Sequence, residues 1–151
     1  MKAIMACDYY GGIGKDGALP WDSLDGDMDR FVSLTFNSTI VMGHRTWNSL
    51  PKTPLPNRRN IVISRNSDLK LNGAEVINNI EQLKDLQDTW FIGGAELLSE
   101  LWPLITEFHL TRATDLYDCD TYIDLLYLQQ NFRRTHEYVL DDNTYEIWLR
   151  L

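Results

Sequence analysis

The chain has 151 residues, with 14 Lys and Arg against 22 Asp and Glu for a formal net charge of −8. That length suits one domain able to bury roughly 70% of its unfolded surface, and 44% hydrophobic with 24% charged residues excludes disordered, collagenous and fibrous chains. No apolar run reaches the ~18 residues of a membrane span, Ala3–Cys7 is too short for a secretion signal, and Cys7 with Cys119 fits neither a disulfide framework nor a zinc site, so a cytoplasmic protein without membrane or metal is expected.

In chain order, residues 1–8 predict a short buried strand, and Tyr9–Pro20, with four glycines, a long mobile loop. Ser23–Thr35 predicts a helix opened by Asp22 or Ser23 as its cap. The β-branched runs Thr39–Gly43 and Asn60–Ser64 predict buried parallel strands. Between them Thr46–Leu50 predicts a short helix, followed by the proline-rich loop Pro51–Pro56. Glu75–Ile77 reads as a short strand, Ile80–Leu86 as a short helix and Thr89–Ile92 as another strand. Gly93-Gly94 then opens a helix running to Trp102, with Pro103 beyond its end. Glu107–Arg112, Phe132–Leu140 and Thr144–Arg150 complete the strands, the last two joined by Asp141–Asn143 as an antiparallel hairpin. Strands alternating with helices and closing on a hairpin predict an α/β domain with a mostly parallel sheet.

Charge is unevenly placed. From Arg30 to Ser67 there are six basic residues (Arg30, Arg45, Lys52, Arg58, Arg59 and Arg65) and no acidic one. Such a stretch reads either as a local anion site or as a solvated face. The acidic whole argues against a nucleic-acid partner, since its field repels a polyanion.

Three constellations are candidates for chemistry. At 100° per residue Leu24, Met28, Phe31 and Leu34 form an apolar arc, and Asp27 falls inside it. Asp27 either caps the helix or sits at its rim, or is a lone buried carboxylate facing a cleft, suited to an amidine-like ligand edge or to proton delivery. Gly93-Gly94 at a strand-to-helix junction is either a tight turn or a place where bare backbone approaches an anion. Gly43-His44-Arg45-Thr46 and Ser64-Arg65 follow strands whose carboxyl ends are where open α/β sheets bind ligands. The standard G-x-G-x-x-G fingerprint is absent, His109 and His136 fall in strand patterns that suggest structural roles, and no hydrolase triad or P-loop stands in the chain.

Taken together, Gly12-Ile13-Gly14, Leu19-Pro20-Trp21, Asp27, Phe31 and Thr35 form the ordered pattern GIG-x4-LPW-x5-D-x3-F-x3-T. It resembles the signature of the dihydrofolate reductase family. The likeness continues through Ile40–Pro51, Leu55–Ser64, Phe91–Leu98, His109–Thr111 and Asp120–Ile123. It implies a single domain over residues 1–151, with a mostly parallel eight-stranded sheet flanked by helices and a C-terminal antiparallel hairpin. It also implies an NADP-dependent oxidoreductase: hydride passes from NADPH to C6 of 7,8-dihydrofolate and a proton to N5, giving the tetrahydrofolate of one-carbon metabolism and thymidylate synthesis. A monomer that is an antifolate target is the family form.

The resemblance also assigns residues. Asp27 would bind the pterin N3 and 2-amino group, with Thr111 supporting it, Trp21 holding a water nearby and Leu19 on a loop closing over the nicotinamide. Met5, Ala6, Met28, Phe31, Leu50, Lys52 and Leu55 would line the substrate pocket, and Arg58 would clamp the glutamate α-carboxylate. On the coenzyme side stand Ala6, Ile13, Gly14 and Leu19 near the nicotinamide, with Ile92, Gly93, Gly94, Ala95, Glu96 and Leu97 at the pyrophosphate. Gly43, His44, Arg45, Thr46, Ser64 and Arg65 would take the phosphates, with Thr121 beside them. A cis peptide between Gly93 and Gly94 is expected. Leu98 and Glu96 depart from relatives that carry an aromatic and an arginine there, which is expected to loosen the hold on coenzyme.

Overall fold

A computed structural model describes residues 1–151. Its ten strands are β1 (Lys2–Cys7), β2 (Gly12–Gly14), β3 (Thr39–Gly43), β4 (Arg59–Ile63), β5 (Glu75–Ile77), β6 (Thr89–Phe91), β7 (Glu107–Ala113), β8 (Thr121–Tyr122), β9 (Phe132–Val139) and β10 (Asn143–Arg150). Four helices intervene: α1 (Asp27–Thr35), α2 (His44–Ser49), α3 (Ala95–Leu101) and α4 (Leu125–Asn131). Eight strands form one sheet in the order β5-β4-β3-β6-β1-β7-β10-β9. Pairings from β5 through β7 are parallel; β10 runs antiparallel to both β7 and β9. The terminal hairpin is therefore where the sequence puts it.

The period-2 alternation of strands divides the core. Ala3, Met5 and Cys7 of β1 face one side with Val41, Ile61 and Phe91, and are covered by Leu98, Leu101, Trp102, Leu128 and Phe132. Ile4 faces the other side with Ile40, Met42, Val62 and Trp90, covered by Trp47 of α2 and by Phe31 and Leu34 of α1. Both faces of β3 and β4 are thus apolar, as a buried parallel strand requires. Trp102 is, with Trp148, one of two tryptophans in the first layer. Its ring stacks 4.5 Å from Tyr127 and 5.5 Å from Phe108, centroid to centroid, and it is 5% exposed. Trp102→Ala is expected to cost about 3–5 kcal/mol, read as a lowered midpoint in urea unfolding.

Several boundaries differ from expectation. α1 begins at Asp27, four residues after Ser23, because Gly26 takes φ 75° and turns the chain in at that point. The preceding Trp21 and Leu24 are spent on a separate cluster with Ala113. α2 starts two residues early, directly from β3, and Ile80–Leu83 is a single 3-10 turn. α3 stops at Leu101, where a 3-10 turn holding Pro103 takes over. α4, which the sequence reading did not find, is capped by Asp124, whose carboxylate accepts from the Tyr127 amide at 3.0 Å. Tyr9–Pro20 is not one free loop: Gly12–Gly14 pairs with Thr121–Tyr122 as β2 and β8. The buried Asp8 carboxylate fixes its root, accepting from the amides of Tyr10, Gly12 and Tyr117 at 2.8–3.1 Å. Beyond it, Asp16–Leu19 stays exposed.

Candidate active site

Where the parallel strands end, the chain leaves an open groove of about 870 Å³. β3 passes through Gly43 straight into His44, Arg45 and Thr46; β4 delivers Ser64 and Arg65; β6 delivers Ile92 through Leu97. Ala6 of β1, Ile13 and Gly14 of β2, Leu19 of the exposed loop and Thr121 of β8 close the opposite side. Every residue that the resemblance assigns to the coenzyme lines this one groove, although they come from widely separated segments.

At Gly93 the backbone must be bare. The Gly93–Gly94 bond is cis, as expected, and Gly93 sits at φ 137°. A Cβ on Gly93 would lie 3.2 Å from Thr46 Oγ1, and one on Gly94 3.5 Å from it. The Gly43 amide donates to the Gly93 carbonyl at 2.9 Å, tying the two turns together. Neither α2 nor α3 has a side-chain cap, so their first-turn amides are left to a ligand or water. With His44, Arg45 and Arg65 alongside, the donor set and volume fit a phosphate-bearing dinucleotide. The groove is not uniformly basic, however. Asp16, Glu100 and Asp120 also line it, with Ser49, and none of these was picked out from the sequence. Arg65 donates to Glu100 at 2.9 Å. The spacing of Glu100, four residues after Glu96 and so on the same helical face, was the available signal.

Asp27 is the first residue of α1 and half-buried. Burial pushes its carboxyl above the ordinary aspartate range, against the pull of a hydrogen bond from the Thr111 hydroxyl and the nearby charge of Arg30. Thr111, on β7, is 3% exposed and lies directly opposite Ala6 in the β1–β7 register. Ala6 faces the groove, so the carboxylate and the groove adjoin across two neighbouring strands.

The remaining substrate-side residues gather around α1. Phe31, Leu50 and Leu55 pack on the second core layer; Met5 does not join them, being buried in the first layer with an edge on the groove. The Arg58 guanidinium lies 5.7 Å from the Phe31 ring centroid; its Nε donates to Thr35 Oγ1 at 3.0 Å and its Nη1 to the Pro56 carbonyl at 2.7 Å. Met28 is 64% exposed and Lys52 also stands in solvent. Of the apolar arc Leu24, Met28, Phe31 and Leu34, Leu24 is buried ahead of α1 and Phe31 and Leu34 pack part-buried on the second core layer, while Met28 alone is exposed. Trp21 is buried, edge-on to Tyr117 at 5.6 Å, while Leu19 is exposed. Arg30 leaves the basic stretch to which the sequence seemed to join it and turns toward Thr111. His109 is buried and hydrogen-bonded to the Tyr145 hydroxyl, with burial lowering its proton affinity, and His136 stacks on Tyr138, so both are structural.

Comparison with known proteins agrees with this arrangement. The family model described as dihydrofolate reductase matches residues 1–148. Dihydrofolate reductase type 8 of Escherichia coli is 37% identical, covering 96% of this chain and 92% of that protein. The dihydrofolate reductase of Mycobacterium tuberculosis is 43% identical over 72% of this chain and 68% of its own length. Among solved structures, the Enterococcus faecalis dihydrofolate reductase complexed with NADP(H) superposes with a TM-score of 0.85 at 29% identity, covering 99% of this chain and 96% of that one. A shared fold over nearly the whole length, a matched family model and a groove built at the strand ends lead to one conclusion: the chain belongs to the dihydrofolate reductase family.

Proposed function

We propose that the protein reduces 7,8-dihydrofolate to tetrahydrofolate with NADPH, adding hydride at C6 and a proton at N5, in the cleft where the groove meets Asp27. The observation that carries this reading is the half-buried carboxylate one strand away from a groove with bare backbone where His44, Arg45 and Arg65 stand. NADPH supplies the hydride when bound. His44, Arg45, Thr46, Ser64 and Arg65 hold its phosphates, and the Gly93-Gly94 turn lets its pyrophosphate approach the main chain.

Asp27 grips the substrate ring. An ionised carboxylate is acceptor-only with two oxygens, which matches a ring edge presenting two N–H donors. Burial also favours its protonated form, so it both orients the pterin and assists protonation at N5. Thr111 steadies it, and Trp21 holds a water beside the ring. Leu19 closes the exposed loop over the reacting atoms and keeps bulk water out. Phe31, Leu50 and Leu55 enclose the apolar body of the substrate with Met28 and Lys52 at the rim, and Arg58 takes the carboxylate of its glutamate tail.

Residues 1–151 act as one domain, and the enzyme works as a cytoplasmic monomer without nucleic acid. Two free cysteines suit a reducing compartment, and a net charge of −8 repels polyanions. The test is a spectrophotometric assay of NADPH oxidation. Oxidation that depends on dihydrofolate and is blocked by methotrexate is the expected result; folded protein that oxidises no NADPH with dihydrofolate contradicts the proposal. Light scattering of the same sample is expected to give the monomer mass.

A further inference from the structure

Arg30 lies one helical turn beyond Asp27 and is put to no use by the reading above. Its side chain crosses from α1 to the far strands of the sheet. Nη2 donates to Thr111 Oγ1 at 3.0 Å and to Asn143 Oδ1 at 3.1 Å, and Nη1 to the Asp25 carbonyl at 3.4 Å. The guanidinium lies 4.7 Å from the Tyr145 ring centroid, and Nε is buried without a partner. Gly26 makes room for it: a Cβ there would come within 2.6 Å of Nη1. Fitting a long cation this closely, with one donor left unsatisfied, costs free energy that a merely solvated arginine avoids.

The direction of the hydrogen bonds gives the arrangement a purpose. A guanidinium only donates and an ionised carboxylate only accepts, whereas a threonine hydroxyl has one proton to give. With Oγ1 already accepting from Arg30, the Thr111 hydroxyl keeps its proton for a carboxylate, and both Thr111 and Arg30, three residues along α1, favour the charged form of Asp27. All three hydrogen-bond acceptors of Arg30 are neutral, so its charge is not cancelled by a bonded carboxylate.

We propose that Arg30 is a positioning residue for the reaction: it orients the Thr111 hydroxyl toward Asp27 and holds that carboxylate in its charged, substrate-gripping form. This rests on the reading of Asp27 as the group that binds the pterin. The groups facing Arg30 are Asp27 on its own helix, Thr111 on β7, Asn143 and Tyr145 on β10, and Asp25 and Asp142 from the adjoining loops. Asp142 spends one oxygen on the Asp25 amide and the Asn143 side chain, at 3.0 and 2.7 Å, and so organises the acceptors of Arg30. Arg30 opposes the effect of burial on Asp27, and its removal leaves burial less contested.

The experiment is a carboxyl carbon NMR titration of Asp27 in the intact chain, with the resonance assigned by its loss in Asp27→Asn. Arg30→Met is expected to move the midpoint to higher pH, and Arg30→Lys, which keeps the charge but not the fork, to move it less in the same direction. In turnover, the alkaline limb should shift with it, while KM for NADPH stays within about twofold of the starting protein, since additive, separate sites are expected to couple weakly. A midpoint unmoved in whichever variants fold overturns the proposal; should Arg30→Met not fold, the lysine variant decides alone. A merely structural arginine would lower the melting temperature without moving the midpoint. Failure of the underlying reading looks different: Asp27→Asn would then leave the pH dependence of turnover untouched, whatever Arg30 does to the Asp27 resonance.

Discussion

Asp27→Asn is expected to lower turnover at neutral pH by roughly 10²–10⁴-fold, the range assigned to a positioned acid or base, while the fold survives. Asparagine has the same shape and can still accept from Thr111, so packing at the start of α1 is kept. What disappears is the negative charge that grips two donors, and the group that shares a proton with the substrate. Part of the loss should return in acid, where solvent supplies the proton. Stability should move the other way. Burial raises the proton affinity of Asp27 in the folded state, so the stability it contributes is whole below the ordinary aspartate range and is lost as pH climbs through the raised value. Asparagine escapes that loss. The ligand-free variant should therefore melt higher than the parent at pH 7, with the gap closing in acid. Thermal melts across pH together with single-turnover rates of NADPH oxidation check both halves.

The second large effect concerns Arg58. Its Nε and Nη1 are spent on Thr35 and Pro56, and the ring of Phe31 lies beneath it, so the guanidinium is held in place before any ligand arrives. Burial lowers its proton affinity, yet from a starting value far above neutrality. Nη2 remains for a carboxylate. A hydrogen bond to a charged group is worth about 1.5–3 kcal/mol, so Arg58→Ala should raise KM for dihydrofolate by about 10–100-fold. A pterin lacking the glutamate tail should bind both proteins alike. Steady-state kinetics with the two substrates separates loss of this clamp from general damage, which would weaken both.

The strands were legible because a strand covered on both faces needs an unbroken apolar run, and Thr39–Gly43 and Asn60–Ser64 are such runs. Part of the groove was legible because Gly43–Thr46, Ser64-Arg65 and Gly93-Gly94 are the turns that follow predicted strands; the opposite wall came from the family resemblance, and Asp16, Ser49, Glu100 and Asp120 were not found. The start of α1 was less so. Asp22 and Ser23 look like caps, but Trp21 and Leu24 pack against Ala113 before the helix begins, and only Gly26 can make the turn. α4 offers a single buried residue, Leu128, too few to raise a periodic signal. Arg30 shows a different limit: counting charge along the chain assigned it to the stretch running to Ser67, whereas its side chain reaches across the sheet to Thr111 and Asn143. Length of side chain and direction of reach are properties of the fold.

The most direct test of the Asp27 assignment is a crystal structure of the protein with folate and NADP⁺ bound. Both carboxylate oxygens of Asp27 should lie about 2.7–3.1 Å from the pterin N3 and 2-amino nitrogens, with the nicotinamide beside Ala6, Ile13 and Gly14 and facing the pterin. A pterin ring seated elsewhere, with Asp27 open to bulk water, would contradict it.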